Sequence, residues 1–301
     1  MQVVEMRPAL TPARVWWLAA RPATLAASVS PVLVGTAVAV HGGGARFGAG
    51  IAALVVAIAM QLGVNYANDY SDFVRGADTP RRRGPVRAAA SGLVPPRQVR
   101  AAALAAFGVA AAVGLALSLA TDGRLLIAGA LAVAAGWLYT GGPRPYGYLG
   151  LGEVFVFVFF GLFATAGTAY VESGRLDAAA WLGGVATGCL ACAILVLNNL
   201  RDVETDAAAA KRTLAVRLGA SRTRLLLALL LAAAFAAPIV AFGLGAAGRL
   251  AGLPLVAVPL AWQVYRLSAS PDPKVLVRAL KRCAQLEVWF ALLWTVGLLA
   301  S

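Results

Sequence analysis

The chain is 301 residues long, 60% hydrophobic and only 13% charged, with a mean hydropathy of +0.78. Charge at roughly half the share usual for a soluble domain, beside that much apolar surface, excludes a water-soluble protein built on one buried core and makes a bilayer the natural solvent. A single histidine, His41, excludes a histidine-rich metal site and a histidine-based catalytic triad. Cys189 and Cys192 form a C-x-x-C inside an apolar stretch with no second pair nearby, and are read as packing residues.

Arg7, Arg14 and Arg21 precede the first apolar run. That run is long enough to span and is followed by no small-residue cleavage site, so it predicts a membrane helix rather than a signal peptide. Runs of about 20 apolar residues, the length a bilayer core requires, occur at 24–41, 47–68, 97–120, 124–141, 150–171, 178–200, 223–243, 249–267 and 281–300. Pro31, Pro238, Pro254 and Pro259 fall inside them, tolerable where neighbouring helices satisfy the freed backbone groups.

Nine spans sort the basic residues sharply. Of 26 lysines and arginines, only Arg46, Arg124, Arg175 and Arg249 fall on one side, leaving 22 with the N-terminus and every second loop on the other. The positive-inside rule then puts the N-terminus in the cytoplasm and the C-terminus outside. The net charge of +13 is thereby a feature of loops lying against anionic lipid, and no nucleic-acid partner is expected.

The two longest loops, about 69–96 and 201–222, are both cytoplasmic and four spans apart, and they open alike. Asn65-Tyr66-Ala67-Asn68-Asp69-Tyr70-Ser71-Asp72 leads the first, and Asn198-Asn199-Leu200-Arg201-Asp202-Val203-Glu204-Thr205-Asp206 the second. An even number of intervening spans suggests a parallel repeat about an axis along the membrane normal. Helical spacing predicts Asn65, Asp69 and Asp72 on one face, and Asn198, Asp202 and Asp206 on another. Either loop alone would pass for solvated charge beside a helix end. Two matched loops, with asparagines still inside the apolar helix ends, point to function. Clustered carboxylates call for a cation, and oxygen donors point to Mg2+, which favours one or two carboxylates plus substrate phosphates. Arg75, Arg82, Arg87, Arg201, Lys211 and Arg212 lie close by in sequence to meet phosphate oxygens. The combination implies a membrane enzyme acting on a lipid diphosphate. Trp137-Leu138-Tyr139-Thr140-Gly141-Gly142-Pro143-Arg144-Pro145-Tyr146-Gly147-Tyr148 joins the fourth and fifth spans. Its tyrosines suit an interfacial aromatic belt or the shielding of a carbocation.

These residues resemble the UbiA-type intramembrane aromatic prenyltransferases over nearly the whole chain. The resemblance rests on Arg21-Pro22-Ala23-Thr24-Leu25, the two acidic stretches, Arg75-Gly76-Ala77-Asp78, Gly84-Pro85-Val86-Arg87, Tyr139-Thr140-Gly141-Gly142-Pro143, Pro145-Tyr146-Gly147-Tyr148, and Lys211 to Gly219. The second acidic stretch and the Lys211 run favour the branch acting on 1,4-dihydroxy-2-naphthoate. Arg81, before Arg82, stands where that branch often carries an acid, and Glu204 is an additional acid whose side chain is expected to face away.

The resemblance implies one all-α integral membrane domain over 1–301: nine transmembrane helices in a bundle, two pseudo-repeated halves, a cytoplasm-facing central cavity, and residence in the bacterial plasma membrane. It implies Mg2+-dependent transfer (two ions) of an all-trans polyprenyl group from its diphosphate to the naphthoate, with loss of CO2, in menaquinone biosynthesis. Asp69, Asp72, Asp202 and Asp206 would hold metal, with Asn65, Asn68 and Asn198 coordinating or orienting. Arg201, Lys211 and Arg144 would neutralise the leaving group, Tyr139 or Tyr146 would shield the cation, and Asp78 with Arg82 or Arg87 would orient the acceptor. The alternatives are another acceptor, 4-hydroxybenzoate, homogentisate or a glycerol phosphate, or a secondary transporter, whose polar groups would cluster at mid-membrane.

Overall fold

A computed structural model describes residues 11–77 and 87–301, and within them every regular element is helical. The chain breaks just ahead of the first apolar run. Helix α1, Pro12–Ala19, starts at Thr11, whose hydroxyl accepts from the Arg14 amide, with Pro12 at the first helical position. Pro22 lacks an N–H and disfavours a helical residue before it. Arg21 accordingly takes a left-handed φ of 53°, a short turn follows at Pro22–Thr24, and α2, Ala26–His41, leaves at 49° to the preceding segment.

The long helix α3, Phe47–Val74, supplies what the break lacks. Asn65 Nδ2 donates to the freed Ala20 carbonyl at 2.8 Å and to Thr24 Oγ1 at 3.1 Å, while Gln61 Nε2 donates to Asn65 Oδ1 at 3.2 Å. A side chain on a neighbouring helix thus satisfies a carbonyl that has no water to turn to. Helix α4, Pro96–Thr121, pairs with α3, and α5, Leu125–Leu138, turns back.

The fifth run is compound: α6, Gly152–Val156, continues as a π-helical stretch at Phe157–Phe163 and then as α7, Ala164–Ser173. The wide stretch lies where the chain meets α8, Ala178–Arg201, backbone to backbone. A Cβ on Gly161 would stand 2.3 Å from Gly188 Cα and 2.7 Å from the Gly184 carbonyl. Small residues allow this approach, and single π turns of this kind concentrate at functional sites. Helix α8 is capped by Asp177, whose carboxylate accepts from the Ala180 amide at 2.8 Å. It is the axis of the molecule: 78% of its apolar window is buried, against 22% for α3 and for α4. The short α9, Val203–Ala208, and α10, Leu214–Gly243, follow, with α10 interrupted at Gly219 (φ 74°). A 3-10 stretch at Arg249–Ala257, α11 at Val258–Ser268, and α12 at Pro273–Leu299 complete the chain.

Seven helical segments are long and apolar enough to cross a bilayer, or eight if the bent pair at 12–41 counts as one span. The fourth expected run, 124–141, contains a helix of only 14 residues. At 1.5 Å per residue that is about 21 Å, short of a hydrocarbon core of about 30 Å. Large apolar side chains such as Ile51, Leu119 and Ile127 are exposed on the outer surface, as lipid-facing positions require. The chain is a multi-pass membrane protein.

Candidate active site

The C-terminal ends of α3 and α8 meet over a cavity, lined also by the break before α2, the end of α5, the Tyr146–Leu149 turn, the start of the α6–π segment and the loop before α10. From α3 it receives Asn65, Asn68 and Asp72; from α8 and α9, Asn198, Asn199, Asp202 and Asp206. Arg87 and Lys211 reach it from the two loops, and Tyr139 and Tyr146 from the segment between α5 and α6. Ten of the residues singled out by sequence therefore share one space: Asn65, Asn68, Asp72, Arg87, Tyr139, Tyr146, Asn198, Asp202, Asp206 and Lys211.

Asp72 is the hub of the polar end. It is 3% exposed, yet its Oδ1 accepts from the Tyr148 hydroxyl at 2.7 Å and from Lys211 Nζ at 2.8 Å, while Oδ2 faces Arg87 Nη2 at 3.2 Å. Lys211 Nζ also stands 4.7 Å from the centre of the Tyr148 ring, a cation over a π face. Arg75 lies 5.8 Å from the centre of the same ring, its guanidinium donating to the Gly142 carbonyl. Burying charge is tolerable here because each is paired and hydrogen-bonded.

Asp202 is held differently. Its neighbour Arg201 forms a fork with it, Nε to Oδ1 at 2.8 Å and Nη2 to Oδ2 at 2.5 Å, and the same Nη2 donates to Asn198 Oδ1 at 2.8 Å. Arg201 is buried behind Asp202 and is not among the residues that line the cavity. Asp206 follows one turn later, half-buried, and Glu204 points out into the open.

Two expected participants sit elsewhere among the described residues. Asp69 is fully buried, with Oδ2 accepting from the Ala88 amide at 2.6 Å and Oδ1 from the Ala89 amide at 3.1 Å. It fastens the turn that begins at Arg87 and is not part of the cavity lining. Arg144 is exposed and outside the cavity. Asp78 and Arg82, with the Arg81 position, lie outside the described residues.

Other lining residues stood in the sequence without a role assigned. Tyr148 was part of the tyrosine segment, and Arg21 opened the first motif. Thr140 donates to Asn68 Oδ1 at 2.7 Å, and Asn199 donates to Glu153 Oε1 at 3.0 Å. Motif membership was the available signal for Tyr148, Arg21, Thr140 and Asn199. For Glu153, 46 residues from Asn199, there was none.

Away from the charges the cavity becomes aromatic. Tyr139 meets Tyr146 edge-on at 5.4 Å, Tyr146 stacks on Phe155 at 4.0 Å, and Phe155 is followed by Phe159 at 6.2 Å. Tyr146 donates its hydroxyl to the Ala135 carbonyl at 2.9 Å, and burial pushes its pKa up, so it stays a neutral donor. The space thus has a wall of π faces at one end and paired cations, carboxylates and amides at the other. That suits a substrate with an anionic head and a carbon that becomes positive as the head departs. The two buried cysteines of α8 take no part; Cys192 donates to the Glu153 main-chain oxygen at 3.1 Å.

A model of the UbiA prenyltransferase family matches residues 28–297. A protein of Mycobacterium tuberculosis described as 1,4-dihydroxy-2-naphthoate octaprenyltransferase is 48% identical over 82% of this chain and 83% of its own length. One of Escherichia coli with the same description is 35% identical over 95% of both. Among solved structures, a UbiA homolog from Aeropyrum pernix aligns with a TM-score of 0.68 at 16% identity, covering 92% of this chain and 97% of that one. A UbiA homolog from Archaeoglobus fulgidus, solved with GPP and Mg2+, aligns at 0.63 and 14% identity, covering 95% and 99%.

Proposed function

The chain belongs to the UbiA prenyltransferase family, and from that premise we propose that it transfers an all-trans polyprenyl group from its diphosphate to 1,4-dihydroxy-2-naphthoate. The relatives' descriptions name this acceptor; in this reading the ring loses its carboxyl group as CO2 and gives demethylmenaquinol, the reduced form of demethylmenaquinone. One observation carries this: two separately encoded asparagine–aspartate pairs, Asn68–Asp72 and Asn198–Asp202, open onto one cavity whose far wall is aromatic. A diphosphate with a hydrocarbon tail needs both ends.

The donors at the polar end are oxygens, with no histidine or cysteine among them, which suits Mg2+. Among the described residues no three acidic, histidine or cysteine side chains converge closely enough to hold an ion unaided. Mg2+ ordinarily completes its shell with substrate phosphates and water, so Asp72 with Asn68, and Asp202 with Asp206, fit as two partial cradles for two ions. When bound, Mg2+ supplies neutralising charge to the departing diphosphate. Asp69, with both oxygens on backbone amides, acts in this scheme by fixing Arg87.

The chain's own residues do the rest. Lys211 and Arg87, already at Asp72, bring positive charge to the point where the diphosphate leaves with the electron pair of the C–O bond. Arg201 keeps Asp202 and Asn198 in register. The faces of Tyr139 and Tyr146 shield the allylic carbon as it becomes cationic. The electron-rich naphthoate ring attacks that carbon, and the carboxyl group departs. In this reading the chain crosses nine times, with α5 the short crossing, and its basic loops favour the N-terminus and the cavity mouth at the cytoplasmic face of the bacterial plasma membrane. Diphosphate can then leave to water while the tail runs out between helices.

Purified protein in nanodiscs, given Mg2+, an all-trans polyprenyl diphosphate and the naphthoate, should release CO2 and form the prenylated quinol. EDTA should stop the reaction and added Mg2+ restore it. Preference for 4-hydroxybenzoate or homogentisate would overturn the acceptor, and no product with any aromatic acceptor would overturn the enzyme class.

A further inference from the structure

Asn198 and Asn199 are sequence neighbours that line the same cavity with opposite polarity. The sign of their partners fixes this. Asn198 Oδ1 accepts from Arg201 Nη2 at 2.8 Å, and a guanidinium can only donate. The amide oxygen is therefore the end turned to Arg201, and the amide nitrogen remains for the cavity. Asn199 Nδ2 donates to Glu153 Oε1 at 3.0 Å, and a carboxylate can only accept. Here the nitrogen is committed, and the carbonyl oxygen remains.

Glu153 is well placed to impose that orientation. It is 8% exposed, and its main-chain oxygen is tied to Cys192 of α8. Gly152 before it lets the chain press on Tyr139: a Cβ there would stand 3.1 Å from Tyr139 Cε2 and 3.3 Å from its hydroxyl. The second carboxylate oxygen, Oε2, is buried with no hydrogen-bond partner among the described residues. An unsatisfied buried oxygen is costly, and packing alone gives no reason to retain it.

The two polarities sort the two substrates. A prenyl diphosphate offers acceptor oxygens, which match the nitrogen of Asn198. A dihydroxylated ring offers O–H donors, which match the oxygen of Asn199 on the α6 side of the cavity. Building on the prenyl-transfer reading above, we propose that Asn199 takes a hydroxyl of the aromatic acceptor, and that Glu153 is the positioning residue that keeps the Asn199 oxygen turned towards it.

The test is steady-state kinetics of the purified full-length protein, varying each substrate separately. Asn199→Leu and Glu153→Leu should raise the acceptor KM roughly tenfold, the worth of one well-made hydrogen bond, and leave the donor KM unchanged. Glu153→Asp, which keeps the sign of the partner, should recover most of the loss. As competitive inhibitors, 1-hydroxy-2-naphthoate and 4-hydroxy-2-naphthoate should separate: the Asn199→Leu penalty on Ki persists for the one that keeps the bonded hydroxyl and vanishes for the other. If Glu153→Leu does not accumulate, Asn199→Leu with these two inhibitors decides. An unmoved acceptor KM, an equal rise in the donor KM, or the same penalty for both inhibitors overturns the assignment. Inactivity of the unaltered protein towards the naphthoate would instead overturn the functional reading beneath it.

Discussion

The two acidic stretches look like copies, but they are supported in opposite ways. Asp202 is held by the residue beside it: Arg201 grips both of its oxygens and reaches back to Asn198 within one helical turn. Asp72 is held from a distance, by Arg87, Tyr148 and Lys211, which are 15, 76 and 139 residues away in sequence. The two motifs share residue types while their supports differ. One half is a local device that α8 carries with it, whereas the other exists only once two loops and a tyrosine turn have closed over α3. Substitutions at the two aspartates should therefore cost similar catalysis and unequal stability.

The largest expected effect is on rate. Asp72→Ala and Asp202→Ala should each lower kcat by about two to three orders of magnitude, the loss typical of removing one preorganised electrostatic contact, as read by quinol formation in nanodiscs. Near-full activity in either would break the pairing of the stretches. Stability should then separate them. Removing Asp72 takes a buried carboxylate from both Arg87 and Lys211, a loss of about 3–5 kcal/mol, while Asp202→Ala takes one only from Arg201, which keeps Asn198 as partner. The thermal midpoint in detergent should fall further for Asp72→Ala; the reverse order would contradict the contrast. A third, smaller difference lies within the first stretch. Asp72→Asn should raise the Mg2+ concentration for half-activity, whereas Asp69→Asn should leave it in place and lower kcat through Arg87. A rightward Mg2+ shift for Asp69→Asn would return that residue to the metal. Smallest of all, Arg144→Ala should change stability by no more than about 0.5 kcal/mol and leave kcat unaltered, being exposed and outside the cavity.

Helical geometry explains how much of this could be seen in advance. At 100° per residue, Asn65, Asn68, Asp69 and Asp72 all fall within an arc of about 100°, so a shared face is a fair expectation. Within that arc Asn68 and Asp69 lie at opposite edges, by about −60° and +40° from Asn65, with Asp72 between. The cavity takes the Asn68 side and the 87–91 turn takes Asp69, a division made by a loop whose position no periodicity reveals. The apolar runs located the membrane helices because hydropathy is a local quantity. They could not show that 124–141 holds a helix of 14 residues, nor that Phe157–Phe163 widens into a π-helix, since both read simply as apolar. Tyr148 and Glu153 escaped assignment for the same reason: their partners, Asp72 and Asn199, are 76 and 46 residues away.

Both stretches should hold one metal–diphosphate site, and anomalous scattering can locate it. Crystals of the protein grown with Mn2+ and a prenyl thiolodiphosphate, which resists ionisation, should show two manganese peaks flanking the diphosphate, one at Asp72 and one at Asp202 and Asp206. Peaks confined to one stretch, or a diphosphate bound away from both, would contradict it.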